Sequence, residues 1–169
     1  MEQQSKANFQ KIKMTCKCPT IIKEKNFTKA RELIKREKEK EKKVIFVSNN
    51  DEITRKILAK SPPNILVILQ SKRKDYQKQR NSGFNQVLAN IAKKKKVTIG
   101  ICLDEIQKAK SLKEKAKILA RVKQNIKLCN KTKLKMKFCG KSVEKKKKKD
   151  LQSLGLSLGM PTNMVKNLF

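Results

Sequence analysis

Two stretches, Val44-Ile45-Phe46-Val47-Ser48-Asn49-Asn50 and Ile65-Leu66-Val67-Ile68-Leu69, decide the fold class of this chain. Each contains a short, continuous apolar run, and a run of that kind predicts a strand buried on both faces of a sheet. Between them, apolar residues recur at helical spacing, a polar group at residues 48–51 can cap the helix, and Pro62-Pro63 ends it. The order strand, helix, strand predicts a parallel β-α-β unit.

The same cycle recurs on both sides of this unit. Further strands are predicted at Lys11–Cys18, Val97–Leu103 and Leu134–Phe138, and further helices beginning near Phe27, Phe84, Asp104, Leu112, Asp150 and Pro161. The result is an α/β chain with five or six strands. The runs are compatible with a reduced or incomplete α/β barrel and equally with an open sheet of the same strand order.

The chain carries a large excess of positive charge. Its 169 residues include 45 Lys and Arg against 14 Asp and Glu, which gives a formal net charge of +31. Such an imbalance favours a polyanionic partner, because each contacted phosphate releases condensed counterions. A lysine-rich solvated surface remains the alternative for any single lysine. With 37% hydrophobic residues, a purely disordered basic tail is not expected.

Several function classes lose support from what the sequence lacks. It has no histidine, which removes the commonest general base and metal ligand. The acidic pairs Asp51-Glu52 and Asp104-Glu105 each stand at a predicted helix start, where capping and dipole effects explain them. The sequence has no run of about 18 apolar residues and no signal-peptide pattern, so we expect a soluble, cytoplasmic protein.

The five cysteines do not form a metal-binding motif. Cys16 and Cys18 are separated by one residue instead of the two typical of a zinc knuckle, and Cys102, Cys129 and Cys139 are isolated. We interpret them as small buried apolar residues. The alternative is a metal site in which the fold brings Cys16 and Cys18 together with two of the other cysteines.

Basic residues concentrate in two places that are candidates for nucleic-acid binding. A loop at residues 70–82 is rich in Lys and Arg and contains Tyr76, which can stack on an unpaired base. On the helix that begins at Leu112, we expect Lys113, Lys117 and Arg121 to share one face. That face lies away from a predicted apolar stripe of Leu112, Ala116, Leu119, Val122, Ile126 and Cys129. The predicted contact residues are Lys72, Arg73, Arg80, Lys117, Arg121, Asn125 and Lys127, with Lys141 a weaker candidate.

Four ordered segments resemble one protein family. Arg80–Leu88 is similar to the Ser-Gly-apolar-Asn/Asp-x-Val-Leu signature of ribonuclease P protein component 3, the archaeal counterpart of the eukaryotic thirty-kilodalton subunit. Val97–Gly100 resembles the family's next strand, and Lys115–Leu128 resembles its long helix in the archaeal form. Asp150–Met160 resembles its C-terminal Asp-Leu … Leu-Gly-Met segment, so that the resemblance runs from Val44 to Phe169.

The resemblance implies a TIM-barrel-like fold and a role in a ribonucleoprotein. It implies one domain over residues 1–169, in which residues 1–43 form a shortened, divergent N-terminal part. Such a protein is a non-catalytic subunit that stabilises the ribonuclease P RNA, whose active site uses Mg²⁺ to remove 5′ leaders from precursor tRNA. Its implied partners are that RNA, component 2 (related to yeast Pop five), the other protein subunits and, indirectly, precursor tRNA, with no cofactor on the protein itself.

Two other functions compete with this one. A general binder of structured RNA or DNA on a reduced barrel keeps the resemblance but has no role in ribonuclease P. A metal phosphoesterase that uses only carboxylates and cysteines is the enzyme alternative, and bound metal with intrinsic nuclease activity would support it.

Overall fold

The computed structural model describes residues 19–77, 79–166 and 168. These residues form five strands and eight helices. The strands are β1 (Thr20–Ile22), β2 (Val44–Ser48), β3 (Ile65–Ile68), β4 (Thr98–Cys102) and β5 (Met136–Cys139). The helices are α1 (Phe27–Glu39), α2 (Asp51–Lys60), α3 (Gln86–Lys94), α4 (Leu103–Gln107), α5 (Leu112–Thr132), α6 (Lys141–Glu144), α7 (Lys148–Ser157) and α8 (Thr162–Lys166).

The five strands form one parallel sheet in the order β1-β2-β3-β4-β5. In register, Leu66 of β3 lies beside Phe46 of β2 and Ile99 of β4. The predicted α/β class is confirmed. Among the described strands β1 and β5 do not pair, so that of the two predicted architectures the structure has the open sheet.

One face of the sheet packs against the helices. Phe46, Leu66, Ile99 and Met136 alternate along their strands with residues of the opposite face, and they share a core with helix residues such as Ile57. Since neighbouring strands are joined in sequence order, right-handed crossovers place the connecting helices on the same side. This arrangement brings the loops that follow the strands to one edge of the sheet, the carboxyl edge.

Asparagine side chains begin three of the helices. The Oδ1 atoms of Asn26, Asn50 and Asn85 accept hydrogen bonds from backbone amides in the first turns of α1, α2 and α3. These caps satisfy amide groups that have no partner inside the helix. The predicted cap in the Ser48–Asp51 stretch is confirmed, with Asn50 as the capping residue.

The other face of the sheet is tightly packed at β4. A methyl group placed on Gly100 would lie 2.5 Å from Val67 Cγ2 and 2.9 Å from Cys139 Sγ. Val67 belongs to β3 and Cys139 to β5, so that side chains from both flanking strands close over this glycine. Gly100 is therefore the residue that lets these side chains meet.

Several sequence predictions need correction or fall outside the description. The predicted strand Lys11–Cys18 and the side chains of Cys16 and Cys18 lie outside the described residues. The three-residue strand β1 was not predicted, because it is too short to show a periodicity. No helix in the described part of the chain has the length and apolar character that crossing a bilayer requires.

The buried face of α5 also differs from the prediction. It includes Val122, Ile126 and Cys129 as expected. Leu112, however, is 87% exposed, and Ile118, which was not part of the predicted apolar stripe, is buried in the core. The helix is rotated so that Arg121 and Asn125 face inward as well. This rotation is possible because loop carbonyl and carboxylate groups satisfy the Arg121 guanidinium.

Candidate nucleic-acid interface

The connection between β3 and α3, residues 69–85, lies at the carboxyl edge of the sheet and is called the basic loop below. It presents Lys72, Lys74 and Arg80 to solvent. Tyr76 stands among them and is 70% exposed. Lys78 of the same loop lies outside the described residues. The basic loop thus offers cations and one aromatic ring on its outer surface.

Arg73 points inward from this loop. Its side chain is 6% exposed, and its Nε donates a hydrogen bond to the Leu69 carbonyl oxygen at 2.7 Å. Its Nη2 lies 2.7 Å from Asp51 Oδ1 at the start of α2. The guanidinium therefore links the basic loop to α2, and its charge is paired within the protein.

Gly83 provides the space for that guanidinium. Its φ angle is +66°, and a methyl group there would lie 2.4 Å from Nη1 of Arg73. The neighbouring Ser82 is 2% exposed, and its hydroxyl donates to the Phe84 carbonyl oxygen. The Ser82-Gly83 pair, which carries part of the family resemblance, shapes the loop around Arg73 in this structure.

Arg121 holds the other side of the basic loop. It is 2% exposed, and its Nε donates to Asp75 Oδ1 at 2.8 Å. Its Nη1 donates to the Gln70 carbonyl oxygen at 2.7 Å and its Nη2 to the Arg73 carbonyl oxygen at 2.8 Å. One guanidinium on α5 thereby fixes three points of the loop.

Asp75 is the carboxylate that completes this arrangement. The hydrogen bond from Arg121 holds the pKa of the Asp75 carboxyl below its ordinary value, against the opposing effect of burial. The Asn81 amide, which donates to the same oxygen at 2.9 Å, and the nearby charge of Lys117 also lower that pKa. Asp75 was not among the predicted site residues. Its position as the sole acid between Lys72 and Arg80 was the available signal.

Asn125 lies beneath the loop. It is 6% exposed and lines a cavity of about 10 Å³ together with Gln70 and Glu105. Asn125 Oδ1 and Gln70 Oε1 are buried without a hydrogen-bond partner in the described part of the protein. Asn125 thus faces the interior between α5 and the sheet.

The solvent face of α5 carries lysines. Lys113, Lys117 and Arg121 were predicted to share an exposed face. The two lysines are exposed, but Arg121 lies on the buried side of the helix. Lys117 lies on α5 one turn before Arg121, which binds the basic loop. Lys127 is exposed on the same helix, about 15 Å farther along the axis at 1.5 Å per residue.

Lys141 lies elsewhere on the carboxyl edge. It follows β5, its side chain is exposed, and its backbone amide donates to Asp104 Oδ2 at 3.0 Å. Of the eight predicted contact residues, the structure gathers Lys72, Arg80 and Lys117 around the basic loop, with Lys127 and Lys141 farther away. It places Arg73, Arg121 and Asn125 inside the protein, where the two arginines hold the loop.

The carboxylates at this edge bind groups of the protein itself. Asp51 pairs with Arg73, Asp104 accepts from the amides of Lys141 and Ser142, and Glu105 accepts from the Ser71 amide. The described residues contain no group of three or more His, Cys, Asp or Glu side chains that could hold a metal ion.

The described cysteines are free thiols. Cys129 is buried in the core, and burial raises its pKa to about 12. Cys139, half-buried on β5, has a pKa raised to about 11, chiefly by burial. Burial also raises the pKa of the half-buried Cys102 thiol. All three are therefore protonated at neutral pH. A protonated thiol is a poor nucleophile and a poor metal ligand, because both roles need the thiolate.

Comparison with known proteins bears on the fold. No protein family and no curated protein matches the sequence. Four chains in solved structures match the fold, among them a chain of the cryo-EM structure of archaeal ribonuclease P with mature tRNA. The two chains align with a TM-score of 0.73 at 21% sequence identity, over 89% of this chain and 63% of the other. They share a fold. The present chain spans just under two thirds of the length of that chain.

Proposed function

We propose that this chain is a non-catalytic protein subunit of ribonuclease P, which binds the catalytic RNA and stabilises its active conformation for removal of 5′ leaders from precursor tRNA. The observation that supports the proposal most strongly is the shared fold, over 89% of the chain, with a chain of an archaeal ribonuclease P structure. The specific counterpart that we propose is component 3, on the four sequence segments that resemble it.

The distribution of charge supports RNA as the partner. The net charge of +31 is far larger than solubility requires, and phosphate neutralisation explains it. Lys72, Arg80 and Lys117 are exposed on a loop and helix that two buried arginines hold together. Because the loop is already held in place, less conformational entropy is lost when it binds a partner.

The same frame joins two of the segments that carry the family resemblance. Arg121, within Lys115–Leu128, binds the loop that leads into Arg80–Leu88. We therefore propose Lys72, Arg80, Lys117 and Lys127 as RNA contacts, and Arg73 and Arg121 as the residues that hold the basic loop in place. In this proposal Mg²⁺ belongs to the RNA, and component 2, other protein subunits and precursor tRNA are the further partners.

Reconstitution tests the proposal. Cleavage of precursor tRNA is measured at low Mg²⁺ with the RNA and the partner subunits, with and without this chain. We expect activity to depend on the chain and to fall at least several-fold in the Lys72→Ala/Arg80→Ala/Lys117→Ala variant. The matched control is Lys93→Ala/Lys94→Ala/Lys95→Ala, which removes equal charge from exposed positions at the C-terminal end of α3, at the opposite edge of the sheet. Activity that is independent of the chain would overturn the proposal.

A general binder of structured RNA is the second candidate. The observation that favours it is the net charge of +31, because counterion release on phosphate contact does not depend on the identity of the RNA. Equal affinity for ribonuclease P RNA and for an unrelated folded RNA of similar length would support this candidate, whereas a preference for the former would support the subunit.

A further inference from the structure

A second basic feature lies on the carboxyl edge, away from the basic loop. Between α4 and α6 there is an open cleft of about 290 Å³, lined by Gln107, Lys141, Ser142, Lys145 and Lys146. It is called the lysine cleft below. Two of its residues, Lys145 and Lys146, begin the lysine run that ends at Lys149.

The walls of the lysine cleft are held by specific contacts. Asp104 on α4 accepts hydrogen bonds from the amides of Lys141 and Ser142, at 3.0 and 2.8 Å. Gly140 permits this approach, because its φ angle is +119° and a methyl group there would lie 2.8 Å from the Asp104 carboxylate. The Ser142 hydroxyl donates to Gln107 Oε1 at 2.7 Å, which ties α6 to the end of α4. The lysines therefore project from a fixed wall.

The charge in the lysine cleft is largely uncompensated. Lys141, Lys145 and Lys146 are exposed, and none of the ion pairs found within 4 Å in the described residues includes them. Glu144 is the acid on the same helix, and Asp104 is engaged by backbone amides. Three ammonium groups around one opening favour an anion with several oxygens, and a phosphodiester has that chemistry.

The cleft and the basic loop face the same edge of the sheet. β5 is two strands from β3, a separation of about 10 Å at the usual strand spacing. We propose that the lysine cleft binds a phosphate of the RNA backbone, as a second contact beside the one at the basic loop. This inference rests on the proposed function for the identity of the RNA.

The test removes the cleft charges alone. The variant Lys141→Ala/Lys145→Ala/Lys146→Ala keeps every backbone amide that binds Asp104, and the control Lys93→Ala/Lys94→Ala/Lys95→Ala has the same net charge. The dissociation constant for ribonuclease P RNA is measured between 50 and 300 mM KCl for both variants and for the unchanged chain.

We expect the cleft variant to bind about tenfold or more weakly at moderate salt. The slope of log K against log salt should fall by about 0.7–0.9, the change expected for the loss of one phosphate contact. The control should retain the slope of the unchanged chain. Equal behaviour of the two variants would overturn the proposal, because the effect would then belong to net charge.

The same measurement with an unrelated folded RNA separates this inference from the proposed function. If the unchanged chain binds both RNAs equally and the cleft variant binds RNA more weakly than the control does, the proposed phosphate site is supported. The assignment to ribonuclease P is then contradicted. If the chain prefers ribonuclease P RNA and the variants are alike, the cleft alone fails. If the unchanged chain binds neither RNA, both fail.

Discussion

Two arginines, among many more lysines, organise the surface that we assign to RNA. Arg121 places three nitrogens on three different oxygen atoms, and Arg73 links its own loop to Asp51. A planar guanidinium with five donors can hold several acceptors at once, whereas an ammonium offers a single point of charge. This difference explains why these two positions are buried while the lysines around them remain exposed.

At the residue scale, Arg121→Ala should destabilise the fold. The substitution removes the Arg121 hydrogen bonds to two loop carbonyls and to Asp75, which keeps the Asn81 amide, and the expected loss in the free energy of unfolding is about 2–4 kcal/mol. Urea unfolding followed by circular dichroism measures it. Lys117→Ala, one turn earlier on the exposed face, is the control and should change the value by no more than about 0.5 kcal/mol. Unchanged stability in Arg121→Ala, with RNA binding lost, would instead indicate a direct contact.

At the scale of elements, the basic loop is a structured connection held at both ends. Arg73 binds it to α2 and Arg121 binds it to α5, while Gly83 and Ser82 shape its return to α3. Because these bonds join segments far apart in sequence, the loop keeps its shape only while the helices are packed. The loop is therefore expected to loosen when its central carboxylate, Asp75, is protonated.

The stability that Asp75 contributes should depend on pH. Its pKa is lower in the folded chain, chiefly through Arg121, than in an unfolded chain, where an aspartate titrates at about 3.9. The contribution is therefore fully present well above pH 4 and is lost as the pH falls through the lowered folded value. Comparing urea unfolding of the unchanged chain and Asp75→Asn at pH 6 and pH 3, we expect the stability difference to shrink at pH 3. A difference that is constant with pH would contradict this assignment.

At the scale of the whole molecule, the packing at Gly100 limits the size of the side chain that strand β4 can carry at this position. Its neighbours Val67 and Cys139 come from the two flanking strands and occupy the space above it. The parallel sheet is therefore densely packed at β4, although its two edge strands, β1 and β5, do not pair with each other.

Gly100→Ala should destabilise the sheet by about 1–3 kcal/mol, the usual range for adding volume to a packed core. Thermal and urea unfolding measure the change. Val67→Ala removes the methyl group that the new Cβ would meet at 2.5 Å, so the double variant should recover part of the loss relative to the sum of the single changes. Strict additivity of the two substitutions would show that the contact does not limit packing.

The α/β class and the positions of most elements could be predicted from local sequence patterns. The strands β2 to β5 lie in the predicted apolar runs, and α2 begins at the predicted polar cap. These features follow from patterns within a few residues, since periodicity, proline and capping act locally. Net charge is likewise a property of composition, and it indicated a polyanionic partner without any structure.

The open sheet and the positions of the candidate site residues depend on tertiary contacts that local sequence patterns do not contain. Arg121 looked like part of an exposed basic row, and Asn125 like its neighbour, until packing rotated α5 and brought the Gln70 and Arg73 carbonyls to the guanidinium. Those partners are about 50 residues away in sequence, at separations of 51 and 48. Helical spacing shows which residues share a face, but the contacts that bury a charged side chain depend on distant segments, which local patterns do not contain.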